Sequence, residues 1–139
     1  SVKSRGLGDV YKRQYIENDY LPQAELRLEM YKRLAECKTL DELEILKVEI
    51  VDRFGPFSKT FQNLIELTKL KIISMPLMIK RIIGTNKRIE CTFDSESPIL
   101  ADNKTNNVLV FNPQEDNSIL FLQNTFSTII SNLKLDEAS

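Results

Sequence analysis

The reactive chemistry open to this 139-residue chain is limited first by what it lacks. It has no histidine, so Ser-His, Cys-His and His-metal arrangements have no base or ligand to build on. Its four glycines, at 6, 8, 55 and 84, sit in neither a GxxxxGK[ST] nor a GxGxxG setting, so no phosphate cradle is written. Carboxylates are plentiful, but all lie on ordinary charged faces, whereas general acid/base work needs one carboxyl held apart in an unusual environment. The two cysteines, Cys37 and Cys91, have no metal-ligand spacing and are too few for a disulfide framework; they read as buried, reduced thiols of a cytoplasmic protein. No catalytic residue, metal ligand or cofactor site is expected in this chain. Two charged groupings remain. Glu49, Asp52 and Arg53 stand at i, i+3 and i+4, so one helical turn would project them together. Lys80, Arg81, Lys87 and Arg88 cluster between residues 79 and 90.

The first grouping sits on a helix with both ends encoded. Thr39 can cap the N-terminus and Glu42 can reach back to complete a capping box. Leu43, Leu46, Ile50 and Phe54 recur every three to four residues, and Ile45 and Val48 are read as broadening that buried face. Gly55 then suits a left-handed stop, and Pro56 forbids continuation. The face left polar carries Glu42, Glu49, Asp52 and Arg53, a compact patch suited to presentation. Ahead of it, residues 23–37 read as a helix with Ala24, Leu28, Tyr31 and Ala35 along its inner side, Leu34 alongside, and a Glu29–Arg33 pair outside. The join of Lys38 and Thr39 makes the two helices a hairpin. Ser58 is the expected cap of a third helix over residues 59–74, apolar on two sides and ended by Pro76.

The hydrophobic period then changes from helical to alternating. Residues 79–83 and 87–93 flank Gly84-Thr85-Asn86 and read as a hairpin. Residues 94–107 read as a loop with one helical turn after Pro98. Residues 108–111 and 118–122 flank NPQEDN and read as a second hairpin, with a last helix opening at Asn124 or Thr125. The fold class is therefore α+β: three N-terminal helices, two β-hairpins forming a small antiparallel sheet, and a C-terminal helix. Phe57, Phe61 and Phe121 are assigned to the core.

Residues 1–14, SVKSRGLGDVYKRQ, do not belong with this pattern. They carry a net +3 and resemble read-through of adaptor sequence at the end of a contig, an extraneous leader to a single domain over residues 15–139. Without them the net charge goes from −1 to −4, and such a mildly acidic body argues against a dedicated nucleic-acid binder, which normally shows a basic stripe. The longest charge-free apolar run, residues 72–79, is too short to cross a bilayer, so no membrane is expected.

The segments Tyr20-Leu21-Pro22, Arg27-Leu28, Tyr31-Lys32-Arg33-Leu34-Ala35, Thr39 with Glu42-Leu43, Glu49 to Pro56 and Leu64 to Leu67 resemble, in order and spacing, the C-terminal (TRCF) domain of bacterial transcription-repair coupling factors (Mfd). At Pro76 and Met78 the chain departs from that pattern, which tends to carry a basic residue and a helix-ending glycine there. The resemblance implies a parent that is an ATP-driven double-stranded DNA translocase of transcription-coupled nucleotide excision repair. ATP and magnesium would belong to its motor, not to this domain. It implies a non-catalytic, autoinhibitory domain that docks on the parent's own N-terminal UvrB-like module and masks its UvrA-binding surface, with RNA polymerase and DNA as indirect partners. Glu49, Asp52 and Arg53 are then placed in the docking surface; an ordinary solvated face is the plain alternative. Two other readings stand beside it. Lys80, Arg81, Lys87 and Arg88 could touch nucleic acid, although strand edges also use lysine to block aggregation. The apolar third helix could make a homodimer, against the expectation of a monomer.

Overall fold

Thr39 begins α2 (Leu40–Phe54) as its spacing predicts: its Oγ1 accepts from the Glu42 amide at 3.1 Å. Glu42 in turn accepts from the Lys38 amide at 2.7 Å, one residue further back than the usual capping box. Gly55 closes the helix at φ 85°, ψ −172°, a region that only glycine occupies freely, and its amide donates to Val51 at 2.8 Å. The chain is seen here in a computed structural model, which describes residues 16, 19–85, 87–100, 107–114 and 116–138. The leader assigned to residues 1–14 lies outside them. The described residues fall into two compact units that divide between Ile72 and Ile73.

The first unit holds α1 (Ala24–Glu36), α2 and all but the last two residues of α3 (Lys59–Ser74). Its core joins Leu21, Met30, Leu34, Leu43, Leu46, Ile50, Phe61, Leu64 and Ile65, all buried. Aromatic rings close one end, with Phe61 at 5.2 Å from Tyr20 and stacked at 5.3 Å on Phe57. Ser58 caps α3 by accepting from the Phe61 amide at 3.1 Å, as expected. On α3, Phe61, Leu64, Ile65, Leu67, Leu70 and Ile72 are buried.

Two helix phases differ from expectation. On α1 the inner row is Met30, Leu34 and Cys37, with Tyr31 packed partly buried against the core; Leu34 and Tyr31 are as expected, while Ala24 and Ala35 are exposed and Leu28 is 68% exposed. The row that includes Met30 and Leu34 buries more apolar area than one that includes the two alanines, and Leu28 is left on the outer side. On α2, Ile45 and Val48 do not broaden the buried face. At about 100° per residue they point away from Leu43, Leu46 and Ile50, and they are exposed.

The second unit carries a 3-10 turn, Met75–Leu77, then β1 (Ile79–Gly84), β2 (Ile89–Phe93), β3 (Val108–Phe111) and α4 (Ser118–Ala138). The sheet is antiparallel in the order β1-β2-β3. Ile82 pairs with Cys91, Cys91 with Leu109 and Ile89 with Phe111, which puts these residues on one face. Phe111 meets Phe121 and Phe126 of α4 edge-on at 6.0 and 6.3 Å. The α+β class and a helical turn at Pro98–Leu100 are as the sequence reads. Residues 118–122 are not a strand: they form the first turn of α4, where Asn117 caps by accepting from the Leu120 amide at 3.0 Å. Asn117 in front of an apolar run is a helix start as well as a turn residue, and the cap decides.

Met78 takes φ 54°, ψ 54°, the left-handed conformation that glycine favours.

Candidate functional site

The polar end of α2 is built by two helices. Arg33, on the last turn of α1, grips Glu49 with both guanidinium nitrogens, Nη1 to Oε2 and Nη2 to Oε1, the second at 2.9 Å. Arg53 reaches back one turn to the same carboxylate at 3.3 Å and lies 4.9 Å from the Phe54 ring centroid. A fork of this kind fixes geometry as well as charge. The Arg33 hydrogen bonds, reinforced by its charge and by Arg53, hold the Glu49 carboxyl at about 2, well under its ordinary 4.5. The same bonds raise the Arg33 pKa. Glu49 is half-buried, while Asp52 and Arg53 are exposed. The three residues thus share a helix end, but with different roles: Glu49 braces α1 against α2, and Asp52 and Arg53 are presented.

The brace was not legible in advance. Glu29 stands four residues before Arg33 and makes the standard intrahelical pair in sequence. The guanidinium is instead bonded across the hairpin. The two-residue join between α1 and α2 was the signal that such a cross-helix pair was geometrically open.

The basic residues of the hairpin are arranged differently. Lys80 stands 4.0 Å from Asp94 and Arg88 3.0 Å from Glu90. Lys80 occupies an irregularity in the β1–β2 register, and Arg81 lies opposite Thr92. Arg81 is half-buried, and its Nε has no hydrogen-bond partner among the described residues. Lys87 is exposed at the turn, its amide donating to Thr85 Oγ1 at 3.2 Å. Lys80, Lys87 and Arg88 are exposed, and two of them, Lys80 and Arg88, stand beside a carboxylate.

Both cysteines are free and buried, and burial pushes the Cys91 thiol up to about 12. Such thiols are poor nucleophiles. Among the described residues no helix is long and apolar enough to cross a membrane.

Fold and site together define an α+β module whose helical unit presents a charged, arginine-braced helix end. The sequence model of the TRCF domain matches residues 12–104, and the chain belongs to that family. Among curated proteins it is similar to the transcription-repair-coupling factor of Haemophilus influenzae, 40% identical over 67 residues, which is 48% of this chain and 6% of that protein. It is similar also to that of Escherichia coli, 36% identical over 72 residues, 52% of this chain and 6% of that protein. The chain thus spans only a small part of the length of these relatives. Among solved structures, the crystal structure of the C-terminal domain of transcription-repair coupling factor superposes with a TM-score of 0.74 at 21% identity, over 90% of this chain and 89% of that one. At that identity the likeness is one of fold.

Proposed function

We propose that this chain is the non-catalytic regulatory domain of an ATP-dependent DNA translocase acting in transcription-coupled nucleotide excision repair. It docks through the C-terminal end of α2 on the parent's N-terminal UvrB-like module and masks the UvrA-binding surface there. The observation that carries the reading is the braced helix end: Arg33 fixes Glu49, Arg53 bonds the same carboxylate, and Asp52 and Arg53 lie exposed on that turn. Membership of the TRCF family supplies the setting. A contact of charged side chains suits a latch, because losing one partner of a desolvated pair costs about 2–5 kcal/mol, enough to open a marginally closed state. The parent's cofactors, ATP and magnesium, act in its motor, and the domain works as a monomer inside the larger chain.

The test replaces the matching domain of the Escherichia coli factor with this chain. Asp52→Ala with Arg53→Ala should raise both UvrA affinity and basal ATPase of the chimera. Glu49→Ala is kept as a separate variant, since it also removes the α1–α2 brace. Unchanged UvrA binding and ATPase in the double variant would remove these residues from the mechanism.

A further inference from the structure

Ile45, Val48 and Val51 are 71%, 62% and 41% exposed, and all three lie on the outward side of α2. Spacings of three and four residues bring Asp41, Ile45, Val48 and Asp52 into one row, with Glu44 and Val51 beside it. Single exposed apolar residues are ordinary, but three adjoining ones on one helix face are not scattered. They are also β-branched, which lowers helix propensity relative to the straight-chain residues that suit a solvated face. The strip carries Asp41, Glu44 and Asp52 around it against a single lysine, Lys47, which is 3.2 Å from Glu44. It is continuous with the helix end that presents Asp52 and Arg53.

We propose that this strip is the apolar centre of the docking surface, and that it fits a partner segment presenting aliphatic side chains flanked by lysine or arginine. The inference rests on the docking reading above and deepens it. The charged helix end aligns the partner, and the β-branched strip supplies the area removed from water. In such interfaces affinity concentrates in buried apolar anchors, while exposed charges mainly govern the association rate. The three carboxylates select a cationic rim on the partner and disfavour an acidic one.

The test titrates the full 139-residue chain against the Haemophilus influenzae factor shortened by its own matching C-terminal segment. Ile45→Gln with Val48→Gln should weaken binding about tenfold or more, at an undiminished thermal midpoint, because both positions are exposed and glutamine is the better helix former. Raising salt from about 50 to about 300 mM should slow association while changing dissociation little. If the unaltered chain binds and the double variant binds equally well, the strip is not the contact and the charged helix end alone suffices. If the unaltered chain does not bind at all, the docking reading falls and the strip falls with it.

Discussion

Between Leu21 and Ile72 the structure rests on side chains that meet from far apart in the sequence. Leu21, Met30, Leu43 and Phe61 share one core, Tyr20 Oη donates to the Gly55 carbonyl at 3.0 Å, and Arg33 holds Glu49. From Met75 to Phe111 a buried core of Leu77, Ile82, Ile89, Cys91 and Phe93 is joined by backbone constraints at single positions. Met78 turns left-handed, and its carbonyl accepts from Asp94 at 2.8 Å. Gly84 passes close to the returning strand, and Thr85 closes the turn by donating to Arg88 at 2.9 Å. The loop before β3 is tied by reciprocal bonds between Asn107 and Phe93 at 2.8 and 3.1 Å. Distributed packing tolerates change at its surface, so the helical unit can dedicate the outward side of α2 to presentation. In the second unit, positions such as Met78 and Gly84 add backbone constraints to the buried core. Its cations Lys80 and Arg88 are each matched by a nearby acid.

The largest effect that would sharpen this contrast is Phe61→Ala. It empties a fully buried site between Tyr20 and Phe57 and should cost about 3–5 kcal/mol. Amide hydrogen exchange should rise throughout α1, α2 and α3. If exchange rose only near residue 61, the helical unit would not be one cooperative core. Next is Gly84→Ala. A Cβ there would stand 2.2 Å from the Arg88 carbonyl oxygen and 2.7 Å from Ile89 Cα, both backbone atoms that cannot swing aside. The expected cost is about 2–3 kcal/mol, with exchange rising first at Ile82 and Ile83. A neutral substitution would mean that the hairpin is not pinned at this residue.

Much of this division was legible in the sequence, and the exceptions have physical causes. The caps Thr39 and Ser58, the stop at Gly55 and the span of α3 followed from residue type and spacing, because each is decided within four residues. The inward rows of α1 and the outward side of α2 did not. A helix with apolar residues on several sides has more than one plausible rotation, and only the partner helices choose between them. Residues 118–122 are a short apolar run that reads as a strand but follow a capping asparagine, a local conflict that the cap resolves as helix. In the candidate site, the grouping of Glu49, Asp52 and Arg53 was visible. Their division into one bracing and two presented residues depended on Arg33, sixteen positions away.

A smaller effect of opposite sign is expected at Met78. Its left-handed backbone costs a non-glycine residue about 1–2 kcal/mol, while the side chain is 42% exposed and gives up little packing. Met78→Gly should therefore stabilise by about 0.5–1 kcal/mol in a denaturant titration, after the added flexibility of the unfolded chain is subtracted. Destabilisation would show that the methionine side chain contributes more than its exposure suggests.

The finest test of the contrast sets the two arginine–glutamate pairs against each other as pH falls. Glu49 has a folded-state pKa near 2 against an ordinary 4.5, so the folded form binds the proton less readily than the unfolded chain. Its stabilising contribution is complete above about pH 4.5 and is lost progressively as pH falls toward 2. Glu49→Gln should therefore melt below the unaltered chain at neutral pH, and the gap should close across that window. Arg33→Gln should reproduce most of the effect and Arg53→Gln less, since Arg33 supplies the bidentate hydrogen bond and Arg53 a single longer one. Arg88→Gln removes the exposed Arg88–Glu90 pair of the hairpin and should leave the neutral-pH midpoint nearly unchanged, as surface pairs usually do. A Glu49→Gln gap that persisted unchanged to pH 2 would mean that the carboxylate charge is not what joins α1 to α2. The helix end would then be no better braced than the hairpin, and nothing would set it apart as the presented surface.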